Sequence, residues 1–351
     1  MRILRESILQ YISQSMIELG VNEEGVKLLG KATVADHGDL AIACHSLSSI
    51  LKKSPVDIAN QLSSILTPLL HGIATVSSVN GFVNFKATDS WLEEKCGEIC
   101  GDIRLGIPIS TNPRIVAIDY SSPNVAKEMH VGHLRSTVIG DSLTRILEFL
   151  GNTVIRENHI GDWGTPFGML IEHLLDLGEG SAENELSVGD LDGFYKTARS
   201  KFDNDSTFAD RSRSRVVLLQ GGDKETLRLW QVLVDESTRY FNEVYQLLGV
   251  LLVDEDLMGE SAYHHLLPSV VQRLDEKGLL KNSEGADVVF PGGHLNRDGE
   301  PLPLIVRKGD GGFNYATTDL ACIIDRVERL NVDDLLYVVG TPQSRHFEMV
   351  F

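Results

Sequence analysis

The sequence predicts an α/β fold: a parallel β-α-β core interrupted by a mainly helical insertion and preceded by a small α+β unit. Three observations predict it. The short apolar run Arg114–Asp119 (RIVAID) is followed by helical patterning over 131–150 and a second strand-like run over 152–157 (NTVIRE). Residues 162–290 are mostly helical in character. Residues 1–110 mix helical segments with a hairpin signal and run into a linker over 102–113 containing Gly106, Pro108 and Pro113.

In chain order, a helix is expected over about 4–19, where apolar residues continue at helical spacing through Tyr11, Met16 and Leu19. A second apolar segment covers about 39–52. Ser54-Pro55-Val56-Asp57 opens the next helix: the serine can cap it, proline fits its first turn, and the aspartate suits its positive end. The alternating stretch 73–87 holds Asn80-Gly81 between Val-rich arms, a hairpin signature. Residues 89–100 look helical and 102–113 read as a linker. After the first strand, the long helix ends at Gly151. Leu304–Arg307 and Leu335–Val339 are strand-like with a helix near 315–330 between them, so the parallel sheet is expected to resume after the insertion. The last residues, to Phe351, read as a loop, and the polypeptide as a fragment lacking a C-terminal part.

A length of 351 residues suits two or three domains, and 42% hydrophobic with 23% charged residues is the balance of a soluble globular protein. No window approaches 18 uninterrupted apolar residues, so no membrane span is expected. The start, MRILRESILQ, lacks the unbroken apolar stretch of a secretion signal, and Glu6, Glu18, Glu23 and Glu24 argue against a transit peptide. A cytoplasmic protein is expected. Cys96 and Cys100, four apart, read as helical thiols in a reduced compartment, and with Cys44 and Cys322 they form no cluster that would bind zinc. The net charge of −18 weighs against nucleic acid, although charge summed over a chain says little about one groove.

The chemistry-bearing block runs from Asp119 through Ser122, Asn124, Lys127, His130, Gly132 and His133. It lies between a strand end and a helix start, the place where open α/β folds bind ligands and where unpaired N–H groups favour phosphate. His130 and His133 share the first helical turn, and Gly132 lets a flat ring approach the backbone. Two imidazoles aimed at one point can donate to a phosphorus centre gaining charge, with Lys127 adding a cation. A bare H-x-G-H pair suits a metal pair or two surface histidines equally well. A second block, Gly311–Ala321, puts Tyr315 and Asp319 four apart on one helix face. A third, Tyr337–Phe347, carries Gln343 and His346 after a strand. Arg211, Arg213 and Arg215 read as a solvated helix face, with contact to nucleic acid as the sharper alternative. Asp254-Glu255-Asp256 lacks the rest of a calcium loop.

The string S-P-N-V-A-K-E-M-H-V-G-H-L-R-S resembles the HIGH motif of class I aminoacyl-tRNA synthetases in its arginyl form. The continuation NHIGDWGTPFGMLI, and HGDLAIACHSLSSILKKSP and GFVNF in the first 110 residues, resemble the same family. The resemblance implies a Rossmann-type class I catalytic domain over 111–351, interrupted by a connective subdomain at about 162–290. It also implies an additional tRNA-contacting domain over 1–110. It implies ATP, with magnesium, L-arginine and the tRNA for arginine as partners, a monomer, and no structural metal. It assigns His130, Gly132, His133, Lys127 and His346 to ATP, with His130, His133 and Lys127 in catalysis. Asp119, Ser122, Asn124, His133, Tyr315, Asp319 and Gln343 go to arginine, with Asp119 and Asp319 forking around its guanidinium. The sequence departs from the family in having no KMSK-type loop and no anticodon-binding domain before Phe351. A weakly active ATP-, arginine- or tRNA-binding fragment is therefore the alternative, and a small-molecule nucleotidylyltransferase, which also uses H-x-G-H, is a more distant one.

Overall fold

The computed structural model describes residues 2–21, 28–178, 191–309 and 311–351; Glu23, Glu24 and the 179–190 part of the expected insertion lie outside them. The chain divides into two compact units, Met1–Pro108 and Ile109–Phe351.

In the first unit, helices α1 (Arg2–Glu18), α2 (Ser48–Leu51), α3 (Pro55–Leu69) and α4 (Asp89–Gly101) accompany an antiparallel sheet. Its strands β1 (Leu29–Lys31), β2 (Leu40–Ala43), β3 (Ala74–Val79) and β4 (Phe82–Ala87) lie in the order β1-β2-β4-β3. Leu4, Ile8, Ile12 and Met16, each four residues from the next, bury one face of α1 with Leu62, Leu66 and Phe85. The Ser54 hydroxyl caps α3 by accepting the Asp57 N–H at 3.1 Å. Asn80 and Gly81 both take positive φ (50° and 79°), the turn that a two-residue hairpin demands.

The second unit begins with β5 (Ile115–Asp119), α5 (Val131–Phe149) and β6 (Thr153–Glu157). Helices α6 (Thr165–Leu177), α7 (Leu191–Asn204), α8 (Ser206–Gln220), α9 (Lys224–Leu248) and α10 (Leu267–Glu276) follow. Then come β7 (Lys281–Ser283), β8 (Ala286–Val289), β9 (Leu304–Arg307), α11 (Tyr315–Glu328), β10 (Asp334–Tyr337) and α12 (Thr341–Val350). Strands β10, β5 and β6 form a parallel sheet in that order, and their register sets Tyr337, Asp119 and Glu157 abreast at the carboxyl ends. That edge is where ligands of open α/β sheets bind.

Two expectations need correction. Leu304–Arg307 does not rejoin the parallel sheet; it pairs antiparallel with β8 in a separate sheet, β7-β8-β9. Its burial explains this: Leu304 and Val306 are buried while Ile305 is exposed, the alternation of a half-solvated antiparallel strand rather than one covered on both faces. The end of the chain is not a loop: Thr341–Val350 is a helix, started by Gly340 and a proline in its first turn. Among the described residues, no helix is long and apolar enough to cross a membrane.

Candidate active site

The loop from Tyr120 to His130 leaves the carboxyl end of β5 and enters α5. Ser121, Ser122 and Ala126 all have positive φ (72°, 47° and 58°), a concentration of non-glycine residues in the left-handed region that costs free energy and recurs at functional sites. It is held from several directions. The Ser122 N–H donates to Asn158 Oδ1 at 3.0 Å and its hydroxyl to Asp119 Oδ1 at 2.7 Å. The Val125 N–H donates to the Gly161 carbonyl, and the Ala126 N–H to Ser237 Oγ at 2.9 Å. Asn124 is exposed and lies over Gly161, where a side chain's Cβ would meet Asn124 Oδ1 at 2.3 Å, so any larger residue there would displace the Asn124 amide.

His130 is the N-cap of α5. Its Nδ1 accepts the N–H groups of Gly132 (3.1 Å) and His133 (3.4 Å), while His133 Nδ1 accepts the His130 N–H at 3.3 Å. The rings stack with centroids 3.8 Å apart. With both Nδ1 atoms accepting, each neutral ring carries its proton on Nε2, leaving two donors at the helix mouth. Burial, then the His130 and Lys127 charges, hold His133 down to about 4, so it donates as a neutral group near neutral pH. A Cβ at Gly132 would sit 2.9 Å from His130 Cε1, so the space made by that glycine is used by His130's own ring. Lys127 lies with its Nζ 4.2 Å from the centre of the Tyr195 ring.

The second block meets the third. Tyr315, Asp319, Cys322 and Arg326 follow one face of α11. His346 Nε2 meets Asp319 Oδ2 at 2.5 Å, and its ring lies 4.8 Å from that of Tyr315, which is 60% exposed. His346, expected on the nucleotide side, thus joins the residues expected for arginine, and it sits within α12. Gln343 is exposed in the first turn of that helix.

Asp119 is not the open carboxylate that was expected. It is 4% exposed, and Arg326 takes Oδ2 at 2.7 Å while Ser122 occupies Oδ1. Arg326, 1% exposed, also reaches Glu157 at 3.3 Å and lies against the Tyr337 ring. A ligand guanidinium could reach Asp119 only beside this internal one. Burial pushes the Glu157 carboxyl up, and Arg326 opposes the shift.

The β6 exit loop connects the α5 entry loop with the Glu260–Ser261 turn. Asp162 accepts the Ser261 N–H and hydroxyl at 2.8 and 2.6 Å, and the Glu260 N–H donates to the Ile160 carbonyl. Burial and the charges of Asp162 and Asp319 push Glu260 up to about 8. Asn124, Gly161, Asp162 and the Glu260–Ser261 turn are therefore neighbours, Asp319 and His346 form a second contact pair, and the charge of Asp319 is felt at Glu260. Of these, Glu260 escaped the sequence reading, as did Arg326, Asn158 and Tyr245. The G-E-S triplet after an apolar run, and an arginine in the helical register of Tyr315 and Asp319, were the available signals.

Other charged and aromatic side chains of this unit have partners within the chain. Arg211 and Arg215 pair with the buried Glu172, and Arg213 with Asp210. Asp256 accepts from Arg156 and from the Val253 N–H. Trp163 packs against Trp230 and His264. Cys96 and Cys100 are exposed thiols, and Cys44 and Cys322 buried ones. Among the described residues, no group of three His, Cys, Asp or Glu side chains could hold a metal.

Comparison with known proteins gives a consistent result. Residues 101–351 match the sequence model of "tRNA synthetases class I (R), catalytic domain", and residues 3–87 that of "Arginyl tRNA synthetase N terminal domain". The arginine–tRNA ligase of Thermobifida fusca is 53% identical over 87% of the chain and 53% of its own length. That of Laribacter hongkongensis is 44% identical over 97% of the chain and 59% of its length. The chain thus spans roughly half to three-fifths of these relatives. Among solved structures, arginyl-tRNA synthetase of Plasmodium falciparum superposes with a TM-score of 0.72 at 26% identity, covering 99% of this chain and 61% of that one. The Thermus thermophilus enzyme shares the fold, with a TM-score of 0.62 at 23% identity over 92% of this chain and 53% of its own.

Proposed function

The chain belongs to the class I tRNA synthetases of the arginyl type, and on that premise we propose that it is the catalytic part of an arginine–tRNA ligase. Arginine's carboxylate attacks the α-phosphorus of ATP, giving arginyl-adenylate and pyrophosphate. The terminal ribose of the tRNA then takes the arginyl group and releases AMP. No covalent enzyme intermediate is needed; positioning and charge stabilisation carry the reaction.

The observation that carries this reading is the stacked pair of imidazoles that cap the mouth of α5, on a loop whose Asn124 meets Gly161 next to the carboxylate of Asp162. Nε2–H of His130 and His133 would donate to the phosphate oxygens, with Gly132 beside the nucleotide and Lys127 supplying positive charge. Ser122, Asn124, His133 and Gln343 would hold the amino acid's polar end. Asp319 would accept the guanidinium with Tyr315 beside it, and His346 would yield its place on Asp319. Asp119 would act mainly through Ser122 and Arg326. Magnesium travels with ATP as part of the substrate. Residues 1–110 would be the additional domain that meets the tRNA, and 111–351 the catalytic core with its connective subdomain. The protein would act as a cytoplasmic monomer.

ATP–pyrophosphate exchange by the full-length protein, offered each amino acid with and without tRNA, tests the proposal. Exchange should depend on arginine and be stimulated by tRNA. Exchange driven by another amino acid overturns it.

A further inference from the structure

We propose that Tyr245, on α9, is a positioning residue: its hydroxyl clamps together the loops that leave β5 and β6 and so holds Ser122 and Asn124 in place. Tyr245 is 3% exposed and packs in the main hydrophobic cluster of its unit, where a phenylalanine would fill the same volume. The phenolic oxygen is nonetheless satisfied twice: it lies 2.7 Å from Ser121 Oγ and accepts from Asn158 Nδ2 at 2.9 Å. Asn158, wholly buried, spends its other amide atom on the Ser122 N–H. One hydroxyl therefore fixes Ser121 directly and Ser122 through Asn158.

Both are non-glycine residues, adjacent in the chain, whose backbones stand in the left-handed region. Such backbones persist only where the surroundings over-determine them. Eight residues earlier on the same face of α9, Ser237 holds Ala126, the third strained position. The helix thus touches the loop at two points with different neighbours. Tyr245 serves the Ser122–Asn124 end, and Ser237 the end leading to Lys127 and His130. That the first end meets arginine rests on the function proposed above; the clamp itself does not.

The test is Tyr245→Phe in the whole chain, read by hydrogen exchange over residues 120–126 and by titration with L-arginine and with ATP. Exchange at Ser121 and Ser122 should accelerate about ten-fold or more, the worth of a lost buried hydrogen bond. Arginine should bind about ten-fold more weakly and ATP within two-fold of wild type. Unchanged exchange in this segment overturns the proposal, and so does acceleration spread evenly over the unit or equal loss for both ligands. Should the wild-type chain bind no arginine, the functional reading fails while the exchange result still decides the clamp. If Tyr245→Phe does not fold, Ser121→Ala removes the direct bond to the hydroxyl and leaves Asn158 on Tyr245. Faster exchange across residues 120–122 there supports the clamp, and unchanged exchange refutes it.

Discussion

Asp119 and Asp319 were both expected to grip one guanidinium, and the structure treats them differently. Asp119 is sunk at the end of β5, with a buried internal guanidinium on one oxygen and a hydroxyl on the other. Asp319 sits nearer the surface, its side chain 16% exposed, and meets a histidine ring from α12. Arg326 cannot leave Asp119 without stranding charge in the core. An imidazole can leave Asp319 at small cost, because it is partly exposed. The comparison separates a carboxylate that builds the pocket wall from one that is free to exchange partners, although sequence reasoning gave them the same part.

Breaking the internal pair should have the largest effect. Arg326→Met would leave Asp119 and Glu157 buried side by side without their cation, at a cost of roughly 3–5 kcal/mol in unfolding free energy. Denaturant unfolding measures this, and a loss below about 1 kcal/mol would show that Asp119 is not held in the manner described. Next in size is Asp319→Asn, which should leave stability nearly unchanged and weaken arginine binding by about 2–3 kcal/mol, with ATP binding within two-fold. Equal loss for both ligands would remove Asp319 from the exchangeable position and erase the contrast.

The division between legible and illegible parts follows the range of the interactions. The Asn80-Gly81 turn, the Ser54 cap and the β5-α5-β6 unit are specified by neighbouring residues, and each stands as its local pattern implies. The imidazole pair was equally local, and its mutual capping follows from three-residue spacing. The partner of Leu304–Arg307 was not legible, since strand propensity names no partner, and only alternating burial identifies an antiparallel neighbour. Arg326 meets Glu157 across 169 residues of sequence, and Tyr245 meets Asn158 across 87. No periodicity within either helix encodes which loop its polar atom will find. Gly340-Thr341-Pro342 did carry a helix-start signal, so the misreading of the last segment was a missed cue rather than a missing one.

The smallest expected effect is a pH dependence that places Glu260 on the Asp319 side of the comparison. Its carboxyl is pushed up to about 8 from an ordinary 4.5, so between those values the native protein keeps a proton that the unfolded chain has lost. That contribution to stability is complete below about 4.5 and disappears as pH rises through 8. His133, held down from 6.5 to about 4, has the opposite sign: stability rises with pH across its window. The two oppose each other below 6.5, and above it Glu260 acts without that opposition. Unfolding free energy should therefore fall by on the order of 1–2 kcal/mol from pH 6.5 to 8. Glu260→Gln should flatten the slope. Asp319→Asn should shrink it, because Asp319 is one of the charges that keep Glu260 protonated. A slope that persists undiminished in both variants would mean that the titrating group lies elsewhere and that Asp319 does not act on Glu260.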